Sequence, residues 1–315
     1  MAVAFTFPGQ GSQAVGMGKD LAENFPEARA IFQEIDDALG ENLSKLIWEG
    51  PEETLTLTAN AQPALMAVSL AAIKALEAGG FSLNDKVAYV AGHSLGEYSA
   101  LAAAGFVSVA DAARLLRIRG NAMQAAVPAG EGAMAAIIGL EQADVEAACA
   151  EAAQGSGKIC QIANDNGGGQ LVISGAKAAV ELAAKLCTEK GAKRALMLQV
   201  SAPFHSALMA PAASIMRDAL AAVARSAPVV PVISNVSVTP SSDPDEITRR
   251  LVEQVTGRVR WRETVEWFGA DGVTALYEIG AGKVLSGLAR RISRDIATAS
   301  VGSTAEVEAA LAALA

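Results

Sequence analysis

The chain is poor in the residues that metal sites and disulfide frameworks need. Only two of its 315 residues are histidine, His93 and His205, which excludes a multi-histidine metal site. The three cysteines, Cys149, Cys160 and Cys187, follow no zinc or redox spacing and cannot all pair within one chain. They read as buried thiols of a protein in a reducing compartment. Positive charge is also scarce. Lys and Arg number 25 against 34 Asp and Glu, a formal net charge of −9, so a basic nucleic-acid footprint is absent. No uninterrupted apolar run reaches the ~20 residues of a membrane span. The N-terminus enters AVAFTF with no basic leader or cleavage pattern. Together these absences predict a cytoplasmic protein with neither nucleic acid nor membrane as a partner.

Apolar material is plentiful. Hydrophobic residues make up 51% of the chain, too many for disorder and ample for a core, and the length suits about two domains. AVAFTF, VAYVAG, PVVPVISNVS and ALYEIG read as strands separated by helical sequence such as AQPALMAVSLAAIKALEAGG and EYSALAAAG. That alternation predicts an α/β fold with a mostly parallel sheet. An Ala-rich helix ends the chain. Between about Pro128 and Val200 the order becomes βαββαβ: GAMAAIIGL, EQADVEAACAEAA, KICQIAND, QLVISG, AAVELAAKLCTEKG and KRALMLQV. This is a ferredoxin-like pattern and holds all three cysteines. It predicts a subdomain at 128–200 inserted between the two parts of a larger core, 1–127 and 201–315.

Gly92-His93-Ser94-Leu95-Gly96 fits G-x-S-x-G, in which a sharp strand-to-helix turn lifts a serine hydroxyl clear of the sheet. Ser94 and Glu97 also fit S-x-x-E, a capping box at a helix start, and the two readings can coexist. A serine nucleophile needs a base. His93 is adjacent, but successive side chains near a strand end diverge. His205, on a turn after a strand in SAPFH, is the better candidate, because strand ends of α/β folds converge on one edge. No Asp or Glu partner for His205 is evident.

In AARLLRIRGNAM, Ala112, Leu115, Leu116 and Met123 share a helical stripe. Arg119 sits in the middle of it, while Arg114 and Arg117 point away. Such an arginine needs an anion. Either a core carboxylate supplies it or a substrate carboxylate does; a third possibility is solvation, if Gly120 ends the helix nearby. The loop Gly9-Gln10-Gly11-Ser12-Gln13-Ala14 fits a dinucleotide fingerprint, but the acidic residues about 20 positions on, Glu34, Asp36 and Asp37, lie in helix-like sequence rather than at a strand end. Its better reading is a tight loop aiming an N–H at an oxyanion beside Ser94, together with the N–H of Leu95.

Five motifs in order, FPGQGSQ, GHSLGEYSA, the IRG of Arg119-Gly120, SAPFH and YEIGAGKVL, resemble the malonyl-CoA:acyl carrier protein transacylases of type II fatty acid synthesis. The resemblance covers nearly the whole chain. It implies an α/β-hydrolase-like core with an inserted ferredoxin-like subdomain. It also implies Ser94 as acyl acceptor, His205 as base, Arg119 on the malonyl carboxylate, and the N–H groups of Gln10 and Leu95 as the oxyanion hole. A backbone carbonyl near Gln254 would orient the His205 ring in place of a triad acid. Leu95 and Phe204 match malonyl-selective members. The implied partners are malonyl-CoA and an acidic acyl carrier protein, docked transiently; no metal or redox cofactor is implied, and a monomer is expected.

An acidic carrier meeting an acidic chain requires a local basic patch. Arg290 and Arg291, with Lys193 and Arg194, are the candidates. A serine hydrolase such as a thioesterase could use the same Ser/His pair, but lacks a reason for Arg119. A nucleotide-binding regulator using PGQGSQ is a non-enzymatic alternative. An acyltransferase domain of a polyketide synthase is a closer one, disfavoured by the short chain without linkers.

Overall fold

The computed structural model describes residues 2–200 and 202–315, so Ser201 of SAPFH lies outside the described residues. The strands are β1 (Ala2–Phe7), β2 (Tyr89–Gly92), β3 (Gly132–Ile138), β4 (Cys160–Asp165), β5 (Gln170–Ala176), β6 (Arg194–Met197), β7 (Val232–Ile233), β8 (Pro240–Ser241), β9 (Val259–Arg260), β10 (Val273–Ile279) and β11 (Ala297–Val301). Helices alternate with them, giving a mixed α/β structure with two sheets.

The larger sheet has the order β11-β10-β1-β2-β7-β8. Its strands pair in parallel except for β8. β1 is buried from Val3 to Phe7, as a central parallel strand covered on both faces should be. The helix Thr58–Ala78 is apolar on nearly every side, and residues all round it are buried; such a helix belongs inside a core. Among the described residues no helix is long and apolar enough to cross a membrane.

The smaller sheet has the order β6-β3-β5-β4-β9. β3 through β6 pair antiparallel, and β9 adds in parallel beside β4. Ile137, Val145, Ile173 and Val180 help form a hydrophobic cluster separate from that of the larger sheet. The cysteines are free and buried there, with the sulfurs of Cys149 and Cys160 3.6 Å apart.

Three details depart from the sequence reading. PVVPVISNVS supplies only the two-residue β7, because Pro228 and Pro231 bring no N–H to a ladder. The helix Val284–Ile292 and strand β11 precede the terminal helix Thr304–Leu314, and β11 closes one edge of the larger sheet. Glu278, at the end of β10, explains where that helix begins. Its buried carboxylate accepts from the N–H groups of Leu285 (3.0 Å) and Ser286 (2.7 Å), two donors a helix start leaves without intrahelical partners.

Candidate active site

Phe7 of β1 and Gly92 of β2 are register partners, so the loops that follow them leave the sheet side by side. The ladder continues one step, with His93 N–H donating to the Phe7 carbonyl at 3.0 Å. The chain then turns at Ser94, whose φ of 54° lies in the left-handed region, a costly conformation for a non-glycine residue and one that clusters at functional sites. The flanking glycines make the turn possible. A Cβ on Gly92 would lie 1.8 Å from the Gly96 carbonyl carbon, and one on Gly96 would lie 2.2 Å from the Phe7 oxygen.

The turn is fastened by Asn235, which the sequence reading did not single out. Its Oδ1 accepts from Ser94 N–H at 2.8 Å, and its Nδ2 donates to the Gly92 carbonyl at 2.6 Å. The expected capping box does not form. The helix starts at Gly96 with no side-chain cap, because a left-handed Ser94 lacks the extended conformation of an N-cap and turns its hydroxyl into the cavity. Glu97 is buried, and its Oε2 instead accepts from Asn235 N–H (3.2 Å) and Gln254 Nε2 (2.8 Å). Burial pushes its carboxyl up to about 7, against the opposing pull of those hydrogen bonds and of Arg119.

His205 is buried and, like Ser94, has a positive φ, 55°. Its Nε2 lies 2.7 Å from Ser94 Oγ. Its Nδ1 faces two backbone carbonyls, Gln254 at 2.9 Å and Gly257 at 3.1 Å. Carbonyls only accept, so Nδ1 carries the proton and Nε2 is left as the acceptor. Burial, and after it the nearby Arg119 cation, lower the imidazole to about 3, which keeps the ring neutral. His93 turns away from Ser94, its Nε2 2.9 Å from Asn166 Oδ1.

Arg119 is 1% exposed. Its Nη1 donates to Gln62 Oε1 (2.8 Å), and its Nη2 to Gln254 Oε1 (2.8 Å) and Ser94 Oγ (3.1 Å). The guanidinium carbon stands 5.5 Å from the centre of the Tyr98 ring. These partners are neutral, not the core carboxylate that was one of the sequence alternatives, and among the described residues Nε has no hydrogen-bond partner. Burial alone would favour loss of the proton and holds the pKa below the usual arginine value. Gly120 does not end the helix, which runs Val109–Ala125. Instead it admits a close helix contact, since a Cβ there would lie 2.6 Å from Ala59 Cα. A desolvated cation held by amides beside an open cavity is ready for an anion.

Gln10, Leu95, Phe204, His205 and Arg119 all line one cavity of about 450 Å³ with Ser94. Among the described residues, neither the Gln10 N–H nor the Leu95 N–H is taken by an acceptor. Gln10 is steadied by its side chain, whose Oε1 accepts from Thr58 Oγ1 at 2.9 Å. Glu34, Asp36 and Asp37 lie in the helix Pro26–Leu39, away from any strand end. Of the basic candidates only Arg291 lines the cavity, beside exposed Val284. Arg290 bonds Thr298 Oγ1 at 2.7 Å, while exposed Lys193 and Arg194 sit at the start of β6, whose far end leads to the cavity-lining Leu198. Among the described residues no group of three or more His, Cys, Asp or Glu could hold a metal ion.

Residues 4–307 match the model of the acyl transferase domain family. A Bacillus subtilis (strain 168) malonyl CoA-acyl carrier protein transacylase is 47% identical over 98% of this chain and 96% of its own. The chain belongs to the malonyl CoA-acyl carrier protein transacylases of the acyl transferase family. The structure of an acyl-carrier-protein S-malonyltransferase from Bartonella henselae matches with a TM-score of 0.98 and 63% identity, covering 100% of this chain and 99% of that one. A malonyl-transacylase solved in complex with a type II polyketide synthase acyl-carrier protein matches with a TM-score of 0.96 and 45% identity, over 99% of this chain and 100% of that one. This member of the family is thus an acyltransferase.

Proposed function

We propose that this acyltransferase moves a malonyl group from malonyl-CoA to the phosphopantetheine thiol of an acyl carrier protein, through a malonyl ester on Ser94. The observation that carries this reading is Arg119 Nη2, 3.1 Å from Ser94 Oγ. The malonyl carboxylate is one methylene away from the thioester carbonyl, so the cation that pairs with it must lie next to the nucleophile.

Neutral His205 takes the Ser94 proton on Nε2 as Oγ attacks the thioester carbonyl. The N–H groups of Gln10 and Leu95 receive the oxyanion. The tetrahedral intermediate collapses, the C–S bond breaks, and the imidazolium returns its proton to the CoA sulfur. The carrier thiol then enters, gives its proton to His205 and reverses the sequence, leaving Ser94 as it began. The Gln254 and Gly257 carbonyls hold the ring in place of a carboxylate, and Arg119 holds the acyl group in position. Phe204 narrows the space beside the α-carbon. Selection of this kind amounts to about 1–3 kcal/mol.

The parallel sheet with a serine turn after β2 supports an α/β-hydrolase-like core formed by 1–127 and 201–315. Numbering β3 to β6 as strands one to four, their order is 4-1-3-2, which with a separate hydrophobic cluster supports a ferredoxin-like subdomain at 128–200. The carrier protein approaches the cavity mouth. There Arg291, with Arg290, Lys193 and Arg194 farther out, meets its acidic surface, and exposed Leu196, Met197 and Val284 supply apolar contact.

Product analysis tests the reading. With carrier protein present, malonyl-CoA is converted to malonyl-carrier; free malonate as the main product would make the enzyme a hydrolase instead. In the same assay Arg291→Glu raises KM for carrier protein several-fold more than KM for malonyl-CoA. An unchanged carrier KM would move the docking surface elsewhere.

A further inference from the structure

The guanidinium of Arg119 is held at both ends by amide oxygens, and each amide is itself held by its NH2 group. On one side Gln62 Nε2 donates to Thr58 Oγ1 at 3.0 Å. On the other Gln254 Nε2 donates to the Ser94 carbonyl at 2.9 Å and to Glu97 Oε2 at 2.8 Å. An amide has one acceptor end and one donor end. Two acceptors facing the NH2 group therefore fix which end meets Arg119. If the Gln254 amide turned over, its NH2 would face the guanidinium, donor against donor, and Nη2 would lose its hold beside Ser94.

Glu97 is 2% exposed and touches neither His205 nor the cavity among the contacts described. It is a costly residue to bury for a helix start that needs no cap from it. The geometry points to a task for it: Glu97 is a positioning residue that sets selectivity for carboxylate-bearing acyl groups, acting through the Gln254 amide on Arg119. This rests on the reading of Arg119 as the carboxylate clamp.

The charged and titratable groups around Glu97 are consistent with an acceptor's role rather than an ion pair's. Arg119 reaches it through Gln254, and Arg250, on the helix Pro244–Thr256, is engaged by Glu246. Tyr98 is pushed up to about 12, chiefly by burial, and His205 is neutral. With its own carboxyl near 7, Glu97 keeps an acceptor oxygen in either protonation state. The task requires that oxygen and not the charge.

The test compares malonyl and acetyl transfer from the two CoA thioesters in wild type, Glu97→Met, Glu97→Gln, Gln254→Met and Arg119→Ala. Glu97→Met lowers the malonyl-to-acetyl ratio of kcat/KM by about tenfold, the equivalent of one misplaced hydrogen bond to a charged group, mainly through KM for malonyl-CoA. Glu97→Gln, which keeps an acceptor oxygen, restores most of the ratio. A Glu97→Met enzyme that loses both activities equally, or a Glu97→Gln enzyme no better than Glu97→Met, overturns the inference. If Glu97→Met does not fold, Gln254→Met carries the test, and an unchanged ratio there overturns it. Arg119→Ala separates the two levels: if it leaves the ratio unchanged, the clamp reading fails first.

Discussion

Arg119→Ala lowers malonyl transfer by about a hundred- to a thousandfold, roughly 3–4 kcal/mol for removing one partner of a buried charge pair. Acetyl transfer stays or rises. Acetyl has no carboxylate to hold, and the variant leaves room where the guanidinium was. The asymmetry follows from placement. Arg119 is 1% exposed and hydrogen-bonded to neutral oxygens. Glu97 is linked to it only through the Gln254 amide, so an entering carboxylate is the first anion to pair with it directly. Steady-state kinetics with both thioesters reads the effect; parallel losses would remove Arg119 from substrate recognition.

His205→Ala lowers transfer of either acyl group by about 10²- to 10⁴-fold, the usual range for losing a positioned acid–base group. The pH profile carries further information. The neutral ring is the active form, so kcat/KM falls as pH drops through its pKa. Burial and Arg119 lower that pKa from 6.5 to about 3, so the acid limb lies well below the range of an ordinary histidine. Removing Arg119 takes away the second of these causes. The limb of Arg119→Ala, measured with acetyl-CoA, therefore moves to higher pH than that of wild type. A wild-type limb centred near 6.5 would mean that the ring is solvated during turnover.

Much of this site was legible in the sequence because its parts sit at strand ends or on a periodic stripe. G-x-S-x-G after a short apolar run located Ser94. His205 was singled out as following a strand, but β6 ends at Met197 in the smaller sheet, so the segment after it, and not a strand end of the larger sheet, carries the histidine to Ser94. Arg119 stood out as a charge among Ala112, Leu115, Leu116 and Met123. What stayed hidden were residues whose roles arise only by folding. Asn235 fastens a turn 141 residues away, and nothing local distinguishes it from an ordinary strand-end asparagine. Gln62 lies on a helix so uniformly apolar that one amide gives no periodic signal. Glu97 matched a capping box because sequence spacing does not reveal that Ser94 adopts a left-handed conformation. In the fold, β1 and β3 were readable as apolar runs, whereas β7 and β9, two residues each, are defined by their neighbours.

The covalent role of Ser94 is tested most directly by intact-mass analysis of the enzyme after brief incubation with malonyl-CoA and no carrier protein. The account predicts a gain of one malonyl group, mapped to the peptide containing Ser94, absent from Ser94→Ala and discharged when carrier protein is added. An active enzyme that shows no adduct on rapid quenching, or carries it on another residue, would contradict it.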